Sequence, residues 1–171
     1  MDFRLSDDQL SIQAIARDFA QKRIAPVAAE LDASGTFPLE NIREMGQLGL
    51  MGIEVPEEYG GAGLDTVAYA LAMIEIGAVD TATSTVMSVN NSLYCNGILH
   101  HGSEDQNQKS VRALAPGECI GAYALTEPQS GSDASAMHTQ ASRNADGDWV
   151  INGKKSWITS GSVALYIILF A

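Results

Sequence analysis

The chain has 171 residues, 46% hydrophobic and 18% charged, with a formal net charge of −11. That is enough apolar material for a core, too interrupted for a membrane span, and too acidic for a nucleic-acid binder, which needs a basic surface against phosphate. The opening Met1-Asp2-Phe3-Arg4 carries no basic stretch leading into an apolar segment, so no secretory or organellar address is read and a cytoplasmic location is expected.

The first two-thirds of the chain predicts helices. Ser6-Asp7-Asp8-Gln9 has capping-box form, followed by Leu10, Ile15 and Phe19 at near-helical spacing until Pro26 interrupts the pattern. Pro38 opens a second helix with Ile42, Met45 and Leu48 on one face and Gly49 as C-cap. Val55-Pro56 to Gly63 reads as a glycine-rich loop, after which Asp65 caps a helix carrying Val67, Leu71 and Ile74. A further helix runs from Thr81 to Leu99 through Val86, Val89 and Leu93, and Ser103 caps a short one ending near Ala115. Cys95 and Cys119 lack metal-ligand spacing and read as buried reduced thiols, so no metal site is expected. His100 and His101 sit at a helix end, where cations complement the dipole.

Pro116-Gly117 reads as a domain boundary between a helical unit, 1–116, and the start of an all-β unit, 117–171. Beyond it the period turns strand-like: Ile120 to Thr126, then His138 to Asn144, a turn at Asp146-Gly147, and Trp149-Val150-Ile151. Asn152-Gly153 predicts a two-residue hairpin turn into a strand from Lys154 to Thr159, with Lys154 and Lys155 solvated. The final run, Ala164 to Ala171, is apolar, uncharged and without proline, the profile of a pairing-prone edge strand; Ile168 is chosen as the position where a lysine would improve solubility. An open edge of this kind suggests a fragment, a truncated product, or a chain completed by others.

Two segments carry chemistry. Tyr123 to Asp133, YALTEPQSGSD, runs an apolar strand into Thr126, stops it at Pro128, and leaves the N–H groups and hydroxyls of Ser130, Gly131 and Ser132 free to face a phosphate or a flat ring edge. On residues alone, an ordinary strand-to-loop turn explains the same pattern. Trp157 offers an aromatic face and Thr159 a hydroxyl two residues on, on the same side of a strand, although a lone strand tryptophan is usually core.

These segments, with VPEEYGGAGLD (Val55 to Asp65), NNSLYCNGIL (Asn90 to Leu99), HGSEDQ (His101 to Gln106) and INGKKSWITSG (Ile151 to Gly161), resemble the N-terminal half of the acyl-CoA dehydrogenases, most closely the short-chain, butyryl-CoA type. The resemblance covers the whole chain. It implies a helical domain and the beginning of a β-domain, with the family's C-terminal four-helix domain absent. FAD would lie along Tyr123, Ala124, Leu125 and Thr126, with its pyrophosphate at Gly131 and Ser132 and its ring against Trp157, Ile158 and Thr159. Ser132 would also touch the acyl-CoA, whose chain would face Val89, Ser92 and Leu93. Glu127 and Asp133 read as structural carboxylates holding the loop.

The reaction implied is α,β-dehydrogenation of a short-chain acyl-CoA to the 2-enoyl-CoA, with an electron-transfer flavoprotein as acceptor and a homo-oligomer, a tetramer in the family, as the assembly. The base in this family is a glutamate of the C-terminal domain, and no catalytic residue of this chain matches it. The net charge does not exclude the phosphates of CoA, because distant charges are screened beyond about 10 Å. Two other functions remain compatible: a catalytically inactive module for binding or assembly, and a flavin oxidase or monooxygenase of the same fold.

Overall fold

The computed structural model describes residues 3–171, so Met1 and Asp2 of the segment read for an address signal lie outside it. Helix α1, Asp7–Phe19, begins at the expected capping box: the Ser6 hydroxyl accepts from Gln9 N–H and the Gln9 side chain accepts from Ser6 N–H. Pro26 does not end the helical run. A π-helical turn, Ala20–Ile24, leads straight into α2, Ala25–Ser34, with the proline in the first turn of α2. The wide turn absorbs the missing donor and the ring clash that would break a regular helix at that point.

Helix α3, Leu39–Gln47, is followed by α4, Thr66–Gly77, capped by the Asp65 carboxylate on Ala68 N–H at 2.8 Å. Gly49 lies just past α3 with φ +76°, as a helix-terminating glycine should. The faces of α1 and α4 differ from expectation. Ile12, Ala16 and Phe19 of α1 and Ala68, Ala72 and Ile76 of α4 are buried, whereas Leu10, Ile15, Val67 and Ile74 are exposed. Small residues let the two axes approach, and the larger ones are left outside.

Helix α5, Thr81–Ser88, continues through a π-helical turn, Val89–Cys95, into α6, Asn96–His101. Ser103 then caps α7, Glu104–Gln106, with a second capping box, and a π turn at Asn107–Val111 leads into α8, Arg112–Leu114. The main core joins α1, α3, α4 and α5 around Ile42, Met45, Leu50, Met51, Ile53 and Met87, and reaches Ile120 at the approach to the first strand. A second cluster lies around Val55, Tyr94, Cys95, Val111 and Leu114. Burial pushes the Cys95 thiol up to about 12 and Cys119 to about 11, which keeps both protonated and poor nucleophiles.

Strand β1, Gly121–Ala124, pairs in parallel with β4, Tyr166–Leu169, in the register Gly121↔Tyr166 to Ala124↔Leu169. The terminal apolar run is therefore paired on one side. Between them, β2, Gln140–Arg143, and β3, Trp149–Asn152, form an antiparallel hairpin. Its turn is the expected one: Gly147 has φ +88°, and the Asn144 side chain accepts from Asp146 and Asp148 N–H at 3.0 and 2.9 Å.

Asn152-Gly153 is not a hairpin turn, and residues 154–159 form no strand. Gly153 instead presses on the neighbouring chain, where a Cβ would lie 2.1 Å from Thr139 Oγ1. The glycine serves close approach here, the other use to which a missing Cβ can be put.

The phase of β4 corrects the choice of Ile168 for a solubilising charge. Tyr166 and Ile168 turn inward onto the second cluster, while Ile167 and Leu169 are 45% and 39% exposed. Ile167→Lys is therefore expected to reduce self-association at micromolar concentration, read by light scattering, with an unchanged urea midpoint. Ile168→Lys, which presses a charge against the core, is expected to lower stability by about 2–4 kcal/mol. Equal midpoints for the two variants would show that the strand has no inward face.

Candidate functional site

The Tyr123–Asp133 segment leaves β1 at Ala124 and folds into a tight turn closed by two backbone bonds, Glu127 N–H to Ser130 O at 2.9 Å and Ser130 N–H to Glu127 O at 3.1 Å. Pro128 and Gln129 form its tip, the position where a fixed proline φ is favourable. The Ser130 hydroxyl donates to Asp133 O at 2.7 Å, and the Ser135 hydroxyl donates to the Asp133 carboxylate at 2.6 Å. Gly131 and Ser132 are left exposed, and a Cβ at Gly131 would meet nothing within 4 Å.

Beneath the turn lies a buried carboxylate. Glu127, 3% exposed, accepts from His138 N–H at 2.6 Å, Thr139 N–H at 3.0 Å, the Thr139 hydroxyl, the Gln129 amide at 2.6 Å and Lys155 Nζ at 2.8 Å. The Lys155 ammonium first, then the donors of Thr139 and His138, hold its pKa far below the usual carboxylate range. Lys155 is thus not solvated as expected: its side chain is 9% exposed and also donates to Leu125 O at 3.0 Å. Lys154 stays at the surface.

The next residue, Ser156, donates its N–H to Thr126 O at 2.9 Å. Leu125 O and Thr126 O lie past the end of β1, and two consecutive residues of the later segment take them both. The chain then enters a strained stretch in which Trp157 and Ser160, neither of them glycine, have φ of 61° and 62°. Such conformations cost on the order of 1–2 kcal/mol each and cluster at functional sites. Trp157 is 92% exposed, so the indole is neither the core residue nor the strand residue that sequence alone would make it.

Ala124 and Ile158 line one cleft of about 520 Å³, together with Lys155, Ile167 and Leu169. Thr159 opens onto a second, of about 510 Å³, beside Phe37, Asp80 and Thr85. The hydroxyl of Ser160, which lines both, is buried with no hydrogen-bond partner among the described residues. Tyr123 packs its ring on Phe170, with centroids 5.0 Å apart. Val89, Ser92 and Leu93 lie on the π turn of the helix and line neither cleft. Val89 is buried, the Ser92 hydroxyl donates to Ser88 O at 2.8 Å, and Leu93 is 40% exposed.

The neighbouring asparagines are anchors that motif reading missed. Asn90 donates to Met51 O and Leu114 O and accepts from Gly121 N–H at 3.0 Å, while Asn91 donates to Leu50 O and Met87 O and accepts from Ile53 N–H at 2.8 Å. Through Asn90 the helical body grips the first residue of β1. Gly121 itself permits that docking, since a Cβ there would lie 2.4 Å from Leu114 Cδ2 and 2.6 Å from Tyr94 Cγ.

A helical body docked on the first strands of a β-unit, with two tied loops at their junction, defines a two-domain architecture that matches known proteins in order. Residues 6–118 match the acyl-CoA dehydrogenase N-terminal domain and residues 122–171 its middle domain. The short-chain specific acyl-CoA dehydrogenase of Clostridium acetobutylicum is 44% identical over 171 residues, all of this chain and 45% of that protein. The butyryl-CoA dehydrogenase structure from Megasphaera elsdenii aligns with a TM-score of 0.93 at 38% identity, over 100% of this chain and 46% of the other. An acyl-CoA dehydrogenase complexed with FAD from Bacillus anthracis aligns at 0.88 and 36% identity, over 98% of this chain and 29% of that one.

The chain belongs to the acyl-CoA dehydrogenase family. It spans less than half the length of the relatives it matches. Among the described residues no helix is long and apolar enough to cross a membrane.

Proposed function

We propose that the chain supplies the N-terminal body and one wall of the flavin site of an FAD-dependent dehydrogenase of short-chain acyl-CoA thioesters. The observation that carries this is the tie between the two segments: Lys155 and Ser156 bond the Leu125 and Thr126 carbonyls immediately ahead of Trp157–Thr159, and Trp157 is exposed on a left-handed backbone. An exposed aromatic face suits a flat ring. Open space at Gly131 and the free surface of Ser132 suit a pyrophosphate. When bound there, FAD would supply a hydride acceptor for the β-hydrogen of the thioester.

The chain's own residues in this reading bind and orient. Trp157 and Ile158 cover the ring, and the hydroxyls of Thr126 and Thr159 approach its polar edge. Tyr123, Ala124 and Leu125 form the apolar floor. Ser132 meets both phosphate and acyl-CoA, and Val89, Ser92 and Leu93 border the acyl chain. A butyryl-length substrate, an electron-transfer flavoprotein as acceptor, a homo-oligomeric assembly and a cytoplasmic setting complete the proposal. The two unpaired cysteines suit a reducing compartment.

In a complete enzyme carrying this chain, Trp157→Ala is expected to weaken FAD by about 1–2 kcal/mol through lost stacking and burial. Thr126→Ala is expected instead to alter the flavin absorption spectrum and slow hydride transfer. Titration of apoenzyme with FAD, followed by flavin absorbance, separates the two effects. Parent-like affinity and spectrum in both variants would remove the cofactor assignment.

A further inference from the structure

We infer that Lys155 is a positioning residue of the flavin site: through Glu127 and the Leu125 carbonyl it fixes the distance and orientation of the Tyr123–Ser132 loop relative to Trp157–Thr159. The inference rests on the flavin reading above for its purpose, and on geometry alone for its existence. Leu125 and Thr126 follow the end of β1, where no strand partner can take their carbonyls. Lys155 Nζ takes the first at 3.0 Å and Ser156 N–H the second at 2.9 Å.

The ammonium is itself held, 2.8 Å from Glu127, with the two side chains 9% and 2% exposed. Glu127 in turn binds His138 and Thr139, just ahead of β2, so one carboxylate joins the loop, the hairpin and the later segment. A buried ion pair is a poor source of stability, because an apolar pair of the same volume does as well or better. What it supplies is a set of directions that an apolar contact lacks. Trp157 follows Lys155 by two residues, with only Ser156 between them and that residue's amide already fixed. Movement of the ammonium therefore transmits to the indole.

The test compares Lys155→Met with the neutral pair Glu127→Gln/Lys155→Met, which removes the cost of an uncompensated carboxylate and keeps the volume. In the double variant the melting temperature is expected near that of the parent. Amide hydrogen exchange at Ser156 should nevertheless rise tenfold or more, while exchange at Gly121, held by Asn90, stays unchanged. In the complete enzyme the same double variant is expected to bind FAD at least tenfold more weakly, with a shifted flavin spectrum. A folded double variant with parent-like exchange at Ser156 would overturn the inference.

The unaltered chain offers a check that no substitution can confuse. His138, Thr139 and Ser156 N–H should exchange slowly and together, as members of one unit. Exchange of Ser156 at the rate of an open loop would equally overturn the inference. If these amides behave as expected while the parent enzyme fails to bind FAD, the flavin reading falls and the positioning of the two segments stands.

Discussion

A polypeptide of these 171 residues, purified and verified by mass, is expected to reduce no dye in the presence of butyryl-CoA, a loss of all measurable turnover. Proton removal from the α-carbon needs a base within hydrogen-bond reach, and that contribution alone is worth roughly 10²–10⁴ in rate. The carboxylates of the site loop cannot provide it. Glu127 accepts from five donors and its pKa is driven down by Lys155 and the donors around it, so it is ionised and a weak proton acceptor. Asp133 is tied to Ser135 on the exposed side of the turn. Addition of the C-terminal portion of an acyl-CoA dehydrogenase, fused or as a separate chain, is expected to restore turnover. Dye reduction by the 171-residue polypeptide would locate a base among the residues described above.

The second large effect concerns stability. Asn90→Leu keeps the branching of a fully buried side chain and removes its bonds to Met51 O, Leu114 O, Gly121 N–H and Cys95 Sγ, orphaning Met51 O and Gly121 N–H while Leu114 O keeps Gly117 N–H. Each buried group left unsatisfied costs about 1–3 kcal/mol, so a loss of about 2–5 kcal/mol is expected from urea unfolding. That is a large share of the roughly 5–15 kcal/mol by which native domains are stable. Ser92→Ala, two residues along the same π turn, removes only a bond from the hydroxyl back to Ser88 O and is expected to cost less than about 1 kcal/mol. Similar losses in the two variants would mean that Asn90 does not fasten β1 to the helical body.

Much of the molecule was legible where the cause is local. The capping box at Ser6, the Ser103 and Asp65 caps and the Asp146-Gly147 turn formed as read, because each depends on groups within a few residues of one another. The family was legible for a different reason, since several spaced motifs in one order reproduced the N-terminal half of the acyl-CoA dehydrogenases. Helix faces were less so. Hydrophobic periodicity favours Leu10, Ile15, Val67 and Ile74, but the contact between α1 and α4 is decided by the space that Ala16, Ala68 and Ala72 leave.

By itself, then, the sequence determined the helix starts, the change of period after Pro116-Gly117 and the family, and it singled out the two segments proposed to carry the chemistry. Only the tertiary structure decided that Pro26 rides on a π turn, that Gly153 packs against Thr139 instead of turning a hairpin, and that β4 lies parallel to β1 with Ile168 inward. It also decided that Lys155 is buried against Glu127 and that Trp157 is turned out in a left-handed conformation. The physical reason is shared by all of these. A lysine next to a turn and a glycine after an asparagine each have a local default, which yields when another segment of the chain supplies a carboxylate or a neighbouring backbone; a proline within a helix yields to the wider turn just before it.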